Sequence, residues 1–146
     1  MPKPLFFMVG KEIEYFSDQV KRIETLGCEL GNHTYSHTDL STLAPEDMSA
    51  EIAGVDELLT ELTGHGATVV RPPYGSVNSS VKETVGTPMI LWSIDTLDWE
   101  SQDPQKIVDT TLSQVEDGSI ILMHDIFSTT VDAAEILIPQ LKKAGI

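Results

Sequence analysis

Five short apolar runs alternate with segments of helical periodicity along this chain, and no other feature limits its fold so much. The runs are residues 5–9, 28–30, 68–70, 89–94 and 119–123. Runs of that length suit strands buried on both faces, and strands separated by helices pair in parallel, because only a crossover returns the chain to the same end of a sheet. Between the first two runs Phe16, Val20, Ile23 and Leu26 recur at helical spacing before Gly27. A longer helix is expected over residues 45–62. Pro45 opens it, Gly64 closes it, and Met48, Ile52, Val55, Leu59 and Leu62 form its stripe. Asn78 is placed to cap a short helix over residues 79–85. Residues 95–103 read as a loop, and Asp103-Pro104 opens a helix with Ile107, Thr111, Leu112 and Val115 on one face. Residues 131–144 form the last helix, which Pro139 is expected to kink or break. The pattern predicts an α/β fold of parallel βαβ units in one domain over residues 1–146.

Charge and composition narrow the partners. A net charge of -14 repels nucleic-acid backbones and anionic membranes. No run reaches the ~18 apolar residues of a membrane helix, so no membrane insertion is expected. The first ten residues contain neither a charged leader nor a small-residue cleavage site, so they do not read as a signal peptide. Cys28, the single cysteine, excludes an intrachain disulfide and reads as a small strand residue.

The unusual polar residues fall where the strands end. His33 and His37 follow the second run, Arg71 the third, Asp95, Asp98 and Trp99 the fourth, and His124 and Asp125 the fifth. The C-terminal rim of a parallel sheet is where α/β sites are built. Two histidines at this spacing suit a shared metal such as zinc, or else a solvated or capping pair. No glutamate follows the first histidine, as a zinc-protease helix requires. Arg71, before the rigid "PPYG", suits orientation of a carboxylate or a surface ion pair. His124 is either a satisfied core histidine or, paired with Asp98, a general acid whose protonated form the carboxylate favours. Trp99 and Leu122 offer apolar walls, or are simply core. His65, in a "GHG" turn, reads as a solvated loop residue.

"HTYSH" at residues 33–37, "RPPYG" at 71–75, "DTLDW" at 95–99 and "ILMH" at 121–124 stand in the order of a known family's motifs. The chain resembles the polysaccharide deacetylases with the NodB-homology domain, carbohydrate esterase family four, over nearly its whole length. The resemblance implies a distorted (β/α) barrel and a metal-dependent hydrolase that removes N-acetyl groups from chitin- or peptidoglycan-type polymers. It implies His33 and His37 as ligands of Zn²⁺, or of Co²⁺ or Ni²⁺. It implies Arg71 as the residue orienting the catalytic base and the Tyr74 N–H as an oxyanion donor. His124 becomes the general acid, tuned by Asp98, with Trp99 and Leu122 around the acetyl methyl. It also implies an extracellular or cell-surface location and an N-acetylated polysaccharide as partner.

The family's first motif, a strand ending in T-F-D-D-G that supplies the base and an aspartate ligand, belongs just before "PLFFMVG", and its closing strand belongs after "LKKAG". The expectation is therefore an incomplete barrel cut at both ends, and an in-frame T-F-D-D-G upstream would make Met1 a false start. Without that strand, the next is expected to leave an unpaired edge that orients the histidines loosely and favours self-association. Weak Zn²⁺ binding and little turnover by these 146 residues follow, and a non-catalytic remnant or pseudoenzyme that binds carbohydrate or metal is the alternative function.

Overall fold

The computed structural model describes residues 4–146, so the expectation about Met1 lies outside the described residues. Two compact parts, residues 4–91 and 92–146, are described in turn.

In the first part, β1 (Leu5–Met8) pairs in parallel with β2 (Glu29–Asn32), Leu5 opposite Glu29 and Met8 opposite Asn32. Parallel pairing then continues as single bridges, Asn32 to Val70 and Val70 to Met89. The expected strands at 68–70 and 89–94 shrink to these bridges for local reasons. Pro88, Pro72 and Pro73 have no N–H to give a ladder. The carbonyls of Ile90 and Leu91 accept hydrogen bonds from the Arg71 side chain. β2 is thus flanked by β1 on one side and the Val70 row on the other, where Asn32 N–H donates to Val69 O and Arg71 N–H to Asn32 O, both at 2.9 Å. The histidine-bearing strand is therefore held on both sides, while β1 pairs with β2 alone among the described residues.

Helices α1 (Gly10–Tyr15), α2 (Ser17–Thr25), α3 (Pro45–Thr63) and α4 (Ser79–Thr84) accompany these strands. Phe16, at φ −119° and ψ 34°, interrupts what the sequence suggested was one helix. As a result Phe16 and Leu26 are 52% and 70% exposed, while Ile13, not counted in the stripe, is buried. α3 follows its pattern closely. Pro45 starts it, Gly64 ends it at φ 87°, and Met48, Val55 and Leu59 have no exposed surface. Asn78 caps α4 by accepting from Val81 N–H. Ile13, Val20, Leu30, Val55 and Leu59 form one core cluster, and Leu40, Met48, Val70, Val81 and Val85 a second. Cys28 is half-buried and just precedes β2 rather than lying in it.

In the second part β3 (Ile94–Asp95), which takes in only the last residue of the expected 89–94 strand, pairs in parallel with β4 (Ile121–Leu122), itself shorter than the 119–123 run. The expected loop over residues 95–103 instead holds a single helical turn, α5 (Asp98–Ser101), between Leu97 and Gln102, both left-handed at φ 55° and 43°. Asp103 caps α6 (Pro104–Leu112) through the N–H groups of Gln105 and Lys106. Val108, rather than the exposed Leu112, joins Ile107 and Thr111 inside. α7 (Ser128–Ala144) begins earlier than expected and runs unbroken through Pro139. Pro139 and Glu135, whose carbonyl loses its helical partner there, are both exposed, so solvent can satisfy that carbonyl. Ile107, Val108, Ala133 and Leu137 close the core of this part.

Leu59→Ala should therefore cost about 2–5 kcal/mol in urea unfolding. Leu26→Ala, on the stripe expected for the preceding helix but 70% exposed, should stay within about 0.5 kcal/mol.

Candidate active site

β2 delivers the histidine loop. His33 directly follows its last residue, and its Nδ1 lies 2.5 Å from the Arg71 carbonyl. A carbonyl only accepts, so Nδ1 carries the proton, and in the neutral ring the lone pair sits at Nε2. That is the tautomer of a metal-ligating histidine held from behind by a backbone acceptor. His37 reaches the same place by bending the chain back. Thr34 and His37 adopt φ of 68° and 59°, left-handed values that cost L-residues roughly 1–3 kcal/mol each and persist only where surroundings enforce them. The two imidazoles end with ring centroids 4.8 Å apart and nearly perpendicular.

The bend requires space. Tyr35 packs so close to Gly10 that a Cβ there would lie 2.8 Å from the Tyr35 Cα. The Thr34 and Tyr35 carbonyls accept from the N–H groups of Gly10 and Lys11 at the start of α1.

Arg71 and Tyr74 join this group. The Arg71 guanidinium stands over the Phe7 ring, with Cζ 4.1 Å from its centroid, and donates to Ile90 O and Leu91 O at 3.1 and 2.8 Å. Burial holds its pKa below the ordinary arginine value. Tyr74 sits at φ 62° in the turn that follows two prolines, 70% exposed, its ring 5.0 Å from that of His37. Phe7 was legible in the sequence only as a buried strand residue. No sequence signal marked it as the platform for Arg71.

The second part holds the predicted Asp-His pair. Asp98 is completely buried, and its carboxylate accepts four hydrogen bonds. Oδ1 takes His124 Nδ1–H at 2.8 Å and Trp99 N–H at 2.9 Å; Oδ2 takes His124 N–H at 2.6 Å and the Thr130 hydroxyl at 2.8 Å. Burial alone would raise the Asp98 pKa. The hydrogen bonds from the His124 side chain, its backbone and Thr130 outweigh that, and the carboxyl lies below its ordinary range. Because Asp98 accepts from Nδ1, that nitrogen carries a proton, and the His124 side chain is 38% exposed. Thr130, which the sequence reading missed, carries no motif; only the fold brings it to Asp98. Leu122 is buried at 7% exposure, whereas Trp99 is half exposed at 50% and so is not core. His65 is a surface residue 3.7 Å from Glu24, as expected.

The described residues contain no group of three or more His, Cys, Asp or Glu side chains placed to hold a metal. His33 and His37 fit as two ligands of a borderline cation, by ring proximity and by the tautomer of His33.

Residues 3–87 match the family model described as polysaccharide deacetylase. The chain belongs to the polysaccharide deacetylase family. The peptidoglycan-N-acetylmuramic acid deacetylase PdaC of Bacillus subtilis is 34% identical over 140 residues, 96% of this chain and 30% of PdaC. Its solved structure superposes with a TM-score of 0.93 at 33% identity, covering 96% of this chain and 69% of that one. A peptidoglycan-N-acetylglucosamine deacetylase of Bacillus cereus is 37% identical over 150 residues, 98% of this chain and 54% of that protein. A CE4 family pseudoenzyme of Bacillus anthracis superposes with a TM-score of 0.90 at 27% identity, covering 98% of this chain and 52% of that one. The chain thus spans about a third to a half of the length of these curated family members. The parallel-stranded α/β fold of the deacetylase type, expected from the motifs, is the fold observed.

Asp98 also predicts a pH dependence with a definite sign. A carboxyl whose folded pKa is depressed stabilises the fold above its ordinary pKa, and that stabilisation is lost as pH falls through the folded value. Asp98→Asn replaces an acceptor oxygen by a donor amide against four donors, so it should destabilise by about 1–3 kcal/mol at neutral pH. Urea titrations across the acid range should show the gap between wild type and variant closing as pH falls.

Proposed function

We propose that this protein is a metal-dependent hydrolase that removes N-acetyl groups from an amino-sugar polymer, and that its polymer is peptidoglycan. The observation that carries this reading is the Asp98–His124 pair, a proton donor fixed at one nitrogen by a buried, fully satisfied carboxylate. The family relationship and the peptidoglycan named for the Bacillus subtilis and Bacillus cereus proteins support the substrate class. A chitin-type polymer fits the same chemistry and is the comparison substrate in the test below.

His33 and His37 are the residues that hold the cation, with Zn²⁺ first and Co²⁺ or Ni²⁺ as alternatives for a nitrogen-rich site. The chemistry such a cation supplies is Lewis-acid polarisation of a carbonyl and activation of water at neutral pH. The chain's own groups do the rest. The Tyr74 N–H donates to the acetyl oxygen as negative charge develops there. His124 gives the proton on Nε2 to the departing sugar amine, and Asp98 stabilises the imidazolium and keeps the ring aimed. Trp99 and Leu122 take the acetyl methyl. By the family resemblance Arg71 orients a carboxylate base, the one that the family's first motif supplies. A location at the cell wall follows from a peptidoglycan substrate.

A second reading, binding of carbohydrate or metal without turnover, is supported by the likeness to the Bacillus anthracis pseudoenzyme. Acetate release from peptidoglycan and from chitin oligomers, with and without added Zn²⁺, separates the two. The hydrolase reading expects zinc-dependent release that a chelator abolishes, that is larger on peptidoglycan, and that His124→Ala lowers by about 10²–10⁴-fold. Binding of zinc or glycan with no release from either polymer supports the second reading.

A further inference from the structure

The loop between the two histidines is held chiefly by one side chain that no motif includes. Glu51, on the second turn of α3, receives three hydrogen bonds from residues 35 and 36. Its Oε2 accepts the Ser36 N–H at 2.8 Å, its Oε1 accepts the Ser36 hydroxyl at 2.7 Å, and its backbone carbonyl accepts the Tyr35 N–H at 3.0 Å. With the serine proton committed to Glu51, the Thr38 hydroxyl donates to Ser36 Oγ at 2.7 Å. A carboxylate therefore grips the residue next to His37, and the grip extends one residue beyond it.

The other end of the loop is tied to the same helix. Asn32, fully buried, donates from Nδ2 to Ile52 O at 2.8 Å and to Asp56 Oδ1 at 3.2 Å. Its Oδ1 accepts the Thr34 N–H at 2.9 Å. Three residues of α3, Glu51, Ile52 and Asp56, thus hold the backbone before His33 and after it. These bonds offset the unfavourable left-handed conformations of Thr34 and His37.

We infer that Glu51 is a positioning residue that sets how His33 and His37 face each other, and thereby the affinity of the pair for a divalent cation. The inference rests on the metal role proposed above for the two histidines. The chemistry distinguishes Glu51 from a general structural contact, because glutamine can take its place. With Glu51→Gln, the amide oxygen still accepts the Ser36 N–H, the amide N–H donates to Ser36 Oγ, and the serine proton turns to Thr38 Oγ1. Alanine can do none of this.

The test uses the chain as it stands, with Zn²⁺ alone as the probe. Calorimetric titration should show Glu51→Ala weakening zinc binding by roughly 10–100-fold, the range for loss of groups that orient ligands, with Glu51→Gln within about threefold of wild type. Ser36→Ala keeps the N–H contact but loses the hydroxyl, and should fall between them. Amide exchange in the metal-free protein should show Ser36 N–H losing protection in Glu51→Ala while the core of α3 keeps it. Equal zinc affinity in wild type and Glu51→Ala would overturn the inference, as would an equal loss in Glu51→Gln. If Glu51→Ala proves too unstable to titrate, Ser36→Ala decides by its zinc affinity, and wild-type affinity there overturns the inference. If the wild type and His33→Ala both fail to bind zinc, the metal reading of the histidines falls. The positioning role then stands or falls on Ser36 protection alone.

Discussion

Parallel pairing of β1 with β2, carried on by single bridges to Val70 and Met89, is the constraint on which the histidine site depends. Parallel strands all end on one side, so whatever follows each strand is delivered to a shared rim. The sheet is thin here, two short strands and two bridges, because the loops after Val70 and Met89 spend their polar groups on the site instead of a ladder. Arg71 illustrates the exchange. Its N–H and the Asn32 carbonyl extend the pairing, its own carbonyl fixes the His33 tautomer, and its guanidinium caps the Ile90 and Leu91 carbonyls that a longer strand would have used.

The two parts of the chain solve the problem of a buried polar group in different ways. Around the histidines, the backbone is bent into left-handed values at Thr34, His37 and Tyr74, and hydrogen bonds from α3 and the start of α1 hold the bends of the histidine loop. Around Asp98 the strain is electrostatic. A carboxylate with no exposed surface is costly unless every lone pair is used. The fold uses all four, two of them on His124, so the group that must stay charged is also the group that aims the imidazole. Removing any of these donors should disturb the direction of His124 along with stability.

Much of this was legible in the sequence, for physical reasons that differ by residue. α3 was readable because its Pro start, Gly stop and apolar stripe agree with one another. The pairing of Asp98 with His124 and the approach of His33 to His37 were readable because polar residues that close apolar runs fall together at strand ends. The extent of the strands was not, since hydrophobicity reports burial and says nothing of which carbonyls a guanidinium will take. The break at Phe16, the helical turn at Asp98 and the continuity of α7 through Pro139 depend on tertiary neighbours and solvent access. Glu51, Phe7 and Thr130 act only through contacts far away in sequence, which no local pattern announces.

The central claim is that His33 and His37 bind one cation through a pair of imidazoles whose orientation the fold imposes. Zinc-edge X-ray absorption of the zinc-loaded chain tests it without reference to turnover. The account predicts two histidine nitrogens at about 2.0–2.1 Å with imidazole scattering that drops by half in either His33→Ala or His37→Ala. A first shell of oxygen alone, or one unchanged by both substitutions, would contradict it.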